Sequence, residues 1–221
     1  MFNLELYCLI DYMFKIYRKI QYHQSLNHKP NQDAGFTFLE LLIVILMVGI
    51  LSAIAAPSWL TFVNRQRVGK VNERVVSVIQ EAQRQAKNKK LSYRVSFRMN
   101  GNDPQAAVHQ AGSTPATFQW QSLVGDLGVK PEQVWVGTNL IGDNESGGTL
   151  SGLSDDQTIT FDNQGVLDDP EIGNGLAIVV AVPDLRDNDN PIEATQRCVI
   201  VKTILGAMEA NKKGTECNLS T

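Results

Sequence analysis

One carboxylate stands where hydrocarbon is expected. From Phe36 to Ala56 the chain runs 21 residues, and Glu40 is its only ionisable side chain. A charge in an apolar phase costs roughly 2.5 to 3.5 kcal/mol on insertion scales, less near an interface, so Glu40 calls for a cation. Just ahead of the run lie Ala34 and Gly35. A secretory signal places its small-residue cleavage site after a shorter apolar core, not before it. Cleavage at Gly35 would remove the polar flank and keep the apolar helix.

Other groups with chemical potential are sparse. Of three cysteines, Cys8 precedes the apolar run, while Cys198 and Cys217 fall late in the chain. In an oxidising compartment they are expected to pair, closing a loop that contributes roughly 3 kcal/mol; two buried free thiols are the alternative. Past the flank His109 is the lone histidine, and it lies in a Gly/Pro/Ala-rich stretch read as a loop. Neither a histidine metal cluster nor a Ser-His-Asp set can be built from it. No phosphate-binding glycine loop, nucleophile elbow or paired CxxC is present, so the chain reads as no enzyme, with no cofactor and no metal. Asp184 to Asn190 offers oxygens to Ca²⁺, but its spacing is not that of an EF-hand, and a solvated acidic turn is the preferred reading.

Charge separates the chain into two electrostatic parts. Residues 65–98 hold ten Lys or Arg against two acids, a net +8, while residues 99–221 hold six against seventeen, a net −11. An acidic head argues weakly against general nucleic-acid binding. Lys212 and Lys213 alone read as a solubilising turn. The basic stem is suited to anionic lipid or to acidic neighbours.

These residues need elements to hold them. An apolar run of about 20 residues spans a bilayer as a helix, and the basic flank with Lys15, Arg18, Lys19 and Lys29 stays cytoplasmic by the positive-inside tendency. The chain start reads equally well as Met1 or Met13. Pro57 is expected to kink the helix at the membrane edge, beside the interfacial Trp59. Beyond it, Val68, Val71, Val75, Val78, Ala82 and Ala86 recur at steps of three and four, an amphipathic helix with its apolar stripe on the head. The whole helix, about residues 36–90, would be on the order of 80 Å long.

The rest reads as strands: Leu91 to Arg98, Thr117 to Trp120, Gln133 to Val136, Thr158 to Phe161, the apolar run Leu176 to Val182, and Arg197 to Leu205 as its partner. Asn100 to Pro115, Gly142 to Asp156 and Pro183 to Gln196 read as turn-rich or polar loops.

The stretch "GFTFLELLIVILMVGILSAIAAP" resembles the N-terminal signature of type IV prepilins and of type II secretion pseudopilins, over about residues 34–65. A pre-helix Gly, an aromatic first residue, a Glu four positions later and an apolar run occur together in it. The remainder is similar, more weakly, to the GspH/FimT group of minor pilins, through Ile159 to Gly165 and the closing "RCVIVKTILGAMEAN". The resemblance implies an α+β, pilin-like fold: a long N-terminal helix, transmembrane in its first half and packed by its second half on an antiparallel β-sheet head. It divides the chain into a cleaved leader (1–35), an assembly helix (36–60), an amphipathic half-helix (61–90) and a β-rich head (91–221).

It further implies that a prepilin peptidase cuts between Gly35 and Phe36 and that the new Phe36 amine is methylated. That amine is the cation Glu40 lacks. Two copies offset along their axes would set the Phe36 amine of one against Glu40 of the other. At about 4 Å and an effective dielectric near 20, the gross attraction is on the order of 4 kcal/mol before desolvation. The implied partners are the peptidase and methyltransferase, other pilin or pseudopilin subunits and the inner membrane. The implied site is the bacterial inner membrane with an extracytoplasmic head, then a filament. A minor pilin of a type IV pilus, a type II secretion pseudopilin and a DNA-binding pilin of a competence pilus remain open. For the last, the expected C-terminal arginines are absent after Gly206 and Glu209 intrudes.

Overall fold

The computed structural model describes Lys15 and residues 37–154, 157–184 and 187–217. The chain divides into two compact units, Met1–Ala53 and Ile54–Thr221. One helix, α1 (Phe38–Lys89), is 52 residues long and its helical residues run on past Pro57. The kink expected there falls among side chains 54–58, outside those described.

In the second unit α1 buries Val68, Val71, Val75, Ile79, Ala82 and Ala86 completely. Five of these six follow the sequence periodicity. The sixth position goes to Ile79, with Val78 only half-buried: at about 100° per residue, 79 lies somewhat closer than 78 to the mean direction of the other five. Lys87 and Lys89 in the last turn meet the negative end of the helix dipole.

Two antiparallel sheets cover that stripe. The first has the order β3-β2-β1-β6, built from β1 (Tyr93–Asn100), β2 (Asp103–Gln110), β3 (Gln121–Ser122) and β6 (Thr158–Phe161). The second has the order β11-β10-β7-β4-β5, from β4 (Trp135–Leu140), β5 (Ser146–Gly152), β7 (Leu176–Ala181), β10 (Arg197–Val201) and β11 (Met208–Lys213). A small hairpin, β8 (Pro183–Asp184) with β9 (Asp187–Pro191), lies between β7 and β10. Val95, Phe97, Ile159 and Phe161 of the first sheet meet Val136, Ile178, Val180, Val199 and Val201 of the second in one core with the helix stripe. The other face of the second sheet buries Trp135, Val179, Ile200 and Cys198.

Several sequence expectations are corrected. Thr117 to Trp120 is not a strand: Pro115–Thr117 forms a 3₁₀ turn and the strand is only Gln121–Ser122. Likewise Gln133 closes a 3₁₀ turn begun by Pro131, and β4 starts at Trp135. In both, a proline at the first position fixes φ for the turn. The strand from Arg197 ends at Val201, short of Leu205. The turn-rich stretches conceal β2, β5 and the hairpin of β8 and β9. β2 contains Pro104, whose missing N–H faces away from β1, so no bond of the central ladder is lost.

Candidate assembly site

Thr37 opens α1: its Oγ1 accepts the Glu40 backbone N–H at 3.2 Å, and its carbonyl accepts the N–H of Leu41 at 3.1 Å. Thr37-Phe38-Leu39-Glu40 is thus the pattern of a capping box, with Glu40 in the third helical position beside the positive end of the dipole. This second role for Glu40, helix initiation, was readable from the T-x-x-E spacing and was missed. Glu40 is half-buried and forms no ion pair among the described residues. Gly35 and Phe36 lie outside the described residues.

Around Glu40 the first unit presents its apolar residues outward. Phe38 is 83% exposed and Ile45 63%, with Leu39, Leu41, Leu46, Val48 and Leu51 all more than half exposed. Apolar surface of this extent along a single helix requires lipid or another helix. Among the described residues no helix is long and apolar enough to cross a membrane; the described apolar side chains of this run end at Ala53.

The head holds its own candidates. Cys198 on β10 and Cys217 in the terminal 3₁₀ turn are joined, with Cα atoms 5.7 Å apart, and both are fully buried against the outer face of the second sheet. The segment Phe161 to Gly165 forms a tight turn that seats on α1. Asp162 Oδ1 accepts the N–H groups of Gln164 and Val166, each at 2.9 Å, and Gln83 of the helix donates to the Gly165 carbonyl at 2.9 Å. Gly165 takes φ +77° and carries the Lys87 stem directly over its Cα. The role of this segment is therefore to fix the sheet on the helix.

His109 is corrected from a loop to β2, where it is 9% exposed. Its Nδ1 faces the Gln110 carbonyl at 3.1 Å, which fixes the proton there, so Nε2 accepts the Ser96 hydroxyl at 2.8 Å. The ring stacks on Phe118 with centroids 3.6 Å apart. Burial pushes the imidazole pKa below its ordinary 6.5, opposed by the Gln110 carbonyl; Arg94, its cross-strand partner, lowers it further and Asp143 counters. The pair is closed over by the segment carrying Phe118 and reads as structural. Among the described residues no group of three or more metal-ligating side chains is present. Of the 184–190 loop, residues 185–186 and the side chains of 187–189 lie outside the described residues, as does the side chain of Lys212; Lys213 is exposed and Glu209 pairs with Lys202.

Comparisons with known proteins bear on the amino-terminal segment. The family model described as the prokaryotic N-terminal methylation motif matches residues 30–56. No curated protein sequence matches the chain. Two crystal forms of the type IV minor pilin FimU of Pseudomonas aeruginosa are similar. The first has 12% identity over 68% of this chain and 92% of the crystallised FimU chain, with a TM-score of 0.43. The second has 10% identity over 66% and 91% with a TM-score of 0.40. The class of fold is α+β, a long amino-terminal helix with antiparallel sheets on its second half, and the methylation motif overlaps the start of that helix.

Proposed function

We propose that this chain is a minor subunit of a type IV pilus-like filament, cut after Gly35, methylated on Phe36 and held in the inner membrane by residues 36–60 until it is extracted into the filament. The observation that carries this reading is the methylation motif over residues 30–56, coinciding with a helix whose apolar side chains point outward around one carboxylate. The helix is the assembly core, Glu40 the register determinant for an incoming Phe36 amine, and Pro57 the point at which the helix bends. The head provides contacts, and no catalytic role is assigned to it.

Mass spectrometry of the mature protein tests the processing: the expected chain begins at methyl-Phe36, and a full-length, assembled chain refutes it. For Glu40, Glu40→Gln is expected to leave membrane insertion intact and reduce filament incorporation at least tenfold. The type II secretion pseudopilin reading rests on the same residues; a neighbouring secretin with a secretion scaffold would favour it, and a retraction ATPase the pilus. DNA binding draws no support from the exposed Lys213.

A further inference from the structure

We infer that the head docks on a second copy of this chain, an apolar knob on the β10–β11 turn of one copy seating against an acid-rimmed apolar patch on the β4–β5 turn of the other. The knob is Ile204 and Leu205, 55% and 70% exposed. They occupy the two corner positions of a turn closed by the Gly206 N–H on the Thr203 carbonyl at 2.8 Å, places that Gly, Pro, Asn or Asp ordinarily fill. The turn is held on every side. The Ala207 N–H donates to Thr203 Oγ1 at 3.0 Å, the Leu167 N–H to the Ile204 carbonyl at 2.8 Å, and Gln83 of α1 to the Leu205 carbonyl at 3.2 Å. Two aliphatic side chains thus stand in water on a backbone that is already ordered. A surface that covers them gains apolar burial with little further loss of chain entropy.

Charge selects that surface. Gln83 donates also to the Gly165 carbonyl, and the stem of Lys87 lies over Gly165, so an exposed cation borders the knob. Lys87 forms no ion pair among the described residues, whereas Lys202 in the same turn is paired with Glu209. The patch centres on Ile141, 60% exposed, whose Cγ2 takes the space that the absent side chain of Gly147 leaves. The Ile141 N–H donates to the Glu145 carbonyl at 3.1 Å, and Glu171 lies beside Glu145 through the Ser146 N–H on its carbonyl at 2.9 Å. Neither carboxylate forms an ion pair among the described residues, while Asp143 nearby is taken by Arg94. An apolar knob bordered by a cation fits an apolar patch bordered by two carboxylates, and the net charges of +8 over residues 65–98 and −11 over residues 99–221 have the same sense. The two surfaces differ, so the contact is heterologous, one copy giving the knob and another the patch. The inference deepens the subunit reading and rests on it for its role, although every residue used belongs to the second unit.

The test uses the full chain in detergent micelles, carrying Cys8→Ser so that only the paired native cysteines remain. Chains with Leu205→Cys and with Ile141→Cys, differently tagged, are mixed and oxidised. The mixed disulfide is expected to exceed either chain linked to itself by about tenfold, since knob meets patch and not knob. Lys87→Glu on the Leu205→Cys chain should lower that yield about threefold or more, and Glu145→Lys with Glu171→Lys on the other chain should restore it. The loss should shrink at high salt. Melts of each variant check the fold, and if a charge change unfolds the head, the mixed-against-self comparison still decides. A statistical mixture of mixed and self pairs, the result of association through the apolar helices alone, overturns the proposal, as does the absence of cross-linking. Because the chain is used uncut, either result refutes the docking alone, while the mass of the mature protein separately decides the processing.

Discussion

Asn144 is fully buried at φ +55°, and replacing it by alanine should loosen the head more than any other single polar change. Its side chain donates to the carbonyls of Thr160 at 2.8 Å and Asp168 at 2.7 Å, and accepts the Thr160 N–H at 2.9 Å. The Thr160 carbonyl keeps a second donor, the N–H of Asp168 at 3.1 Å, so its loss is small. The Thr160 N–H is left buried without a partner, at about 1 to 2 kcal/mol, while the carbonyl of the exposed Asp168 turns to water at about 0.5 kcal/mol. Alanine in the left-handed region adds about 1 kcal/mol.

The sum is about 3 kcal/mol, a large share of the roughly 5 to 15 kcal/mol that holds most domains folded. At about 2 to 4 °C per kcal/mol for a chain of this size, the melting midpoint should fall about 6 to 12 °C. Asn144→Gly loses the same bonds but relieves φ, and should be about 1 kcal/mol less damaging. Circular dichroism melts of the full chain in detergent measure both. A fall under about 3 °C for Asn144→Ala, or equal falls for alanine and glycine, would refute the reasoning.

Other consequences are as direct. Gly206 takes φ +73°, and an added Cβ would stand 2.6 Å from Gln83 Nε2 and 2.9 Å from Phe161, so Gly206→Ala should cost about 2 kcal/mol in the same melts. Replacing Cys198 and Cys217 together by alanine should cost about 3 kcal/mol, seen as a lower urea midpoint that matches wild type under reductant. Because the folded pKa of His109 lies below its ordinary 6.5, the unfolded chain binds the proton more readily. The contribution of the neutral ring is complete above pH 6.5, declines as pH falls below it, and is gone once pH passes the lowered folded value. Melts from pH 8 to 4 should show this slope, in roughly those bounds, and His109→Gln should remove it.

How much of this was written along the chain differs by element. The apolar run with Glu40, the helical stripe from Val68 to Ala86, and the continuous apolar strand Leu176–Ala181 are legible because burial leaves a period or a run in the sequence. Glu40 was legible as an anomaly in that run, although its place in a capping box went unread. β2 and β5 were not legible: DPQAAVHQ and SGGTLSG carry turn residues and little β-branching, and they are strands because β1 and β4 offer them a ladder.

The sequence alone determined the amphipathic helix, the polarity of charge along the chain and the motif at the amino-terminal end, since each is a local or periodic property of neighbouring residues. Only the tertiary structure decided that His109 is locked to Ser96, that Asn144 ties two loops to β6, and that β3 stops after pairing with two residues of β2. Each of these joins residues distant in the chain, or depends on where a neighbouring strand stops. Nothing in the composition of a short segment encodes the register at which another one ends.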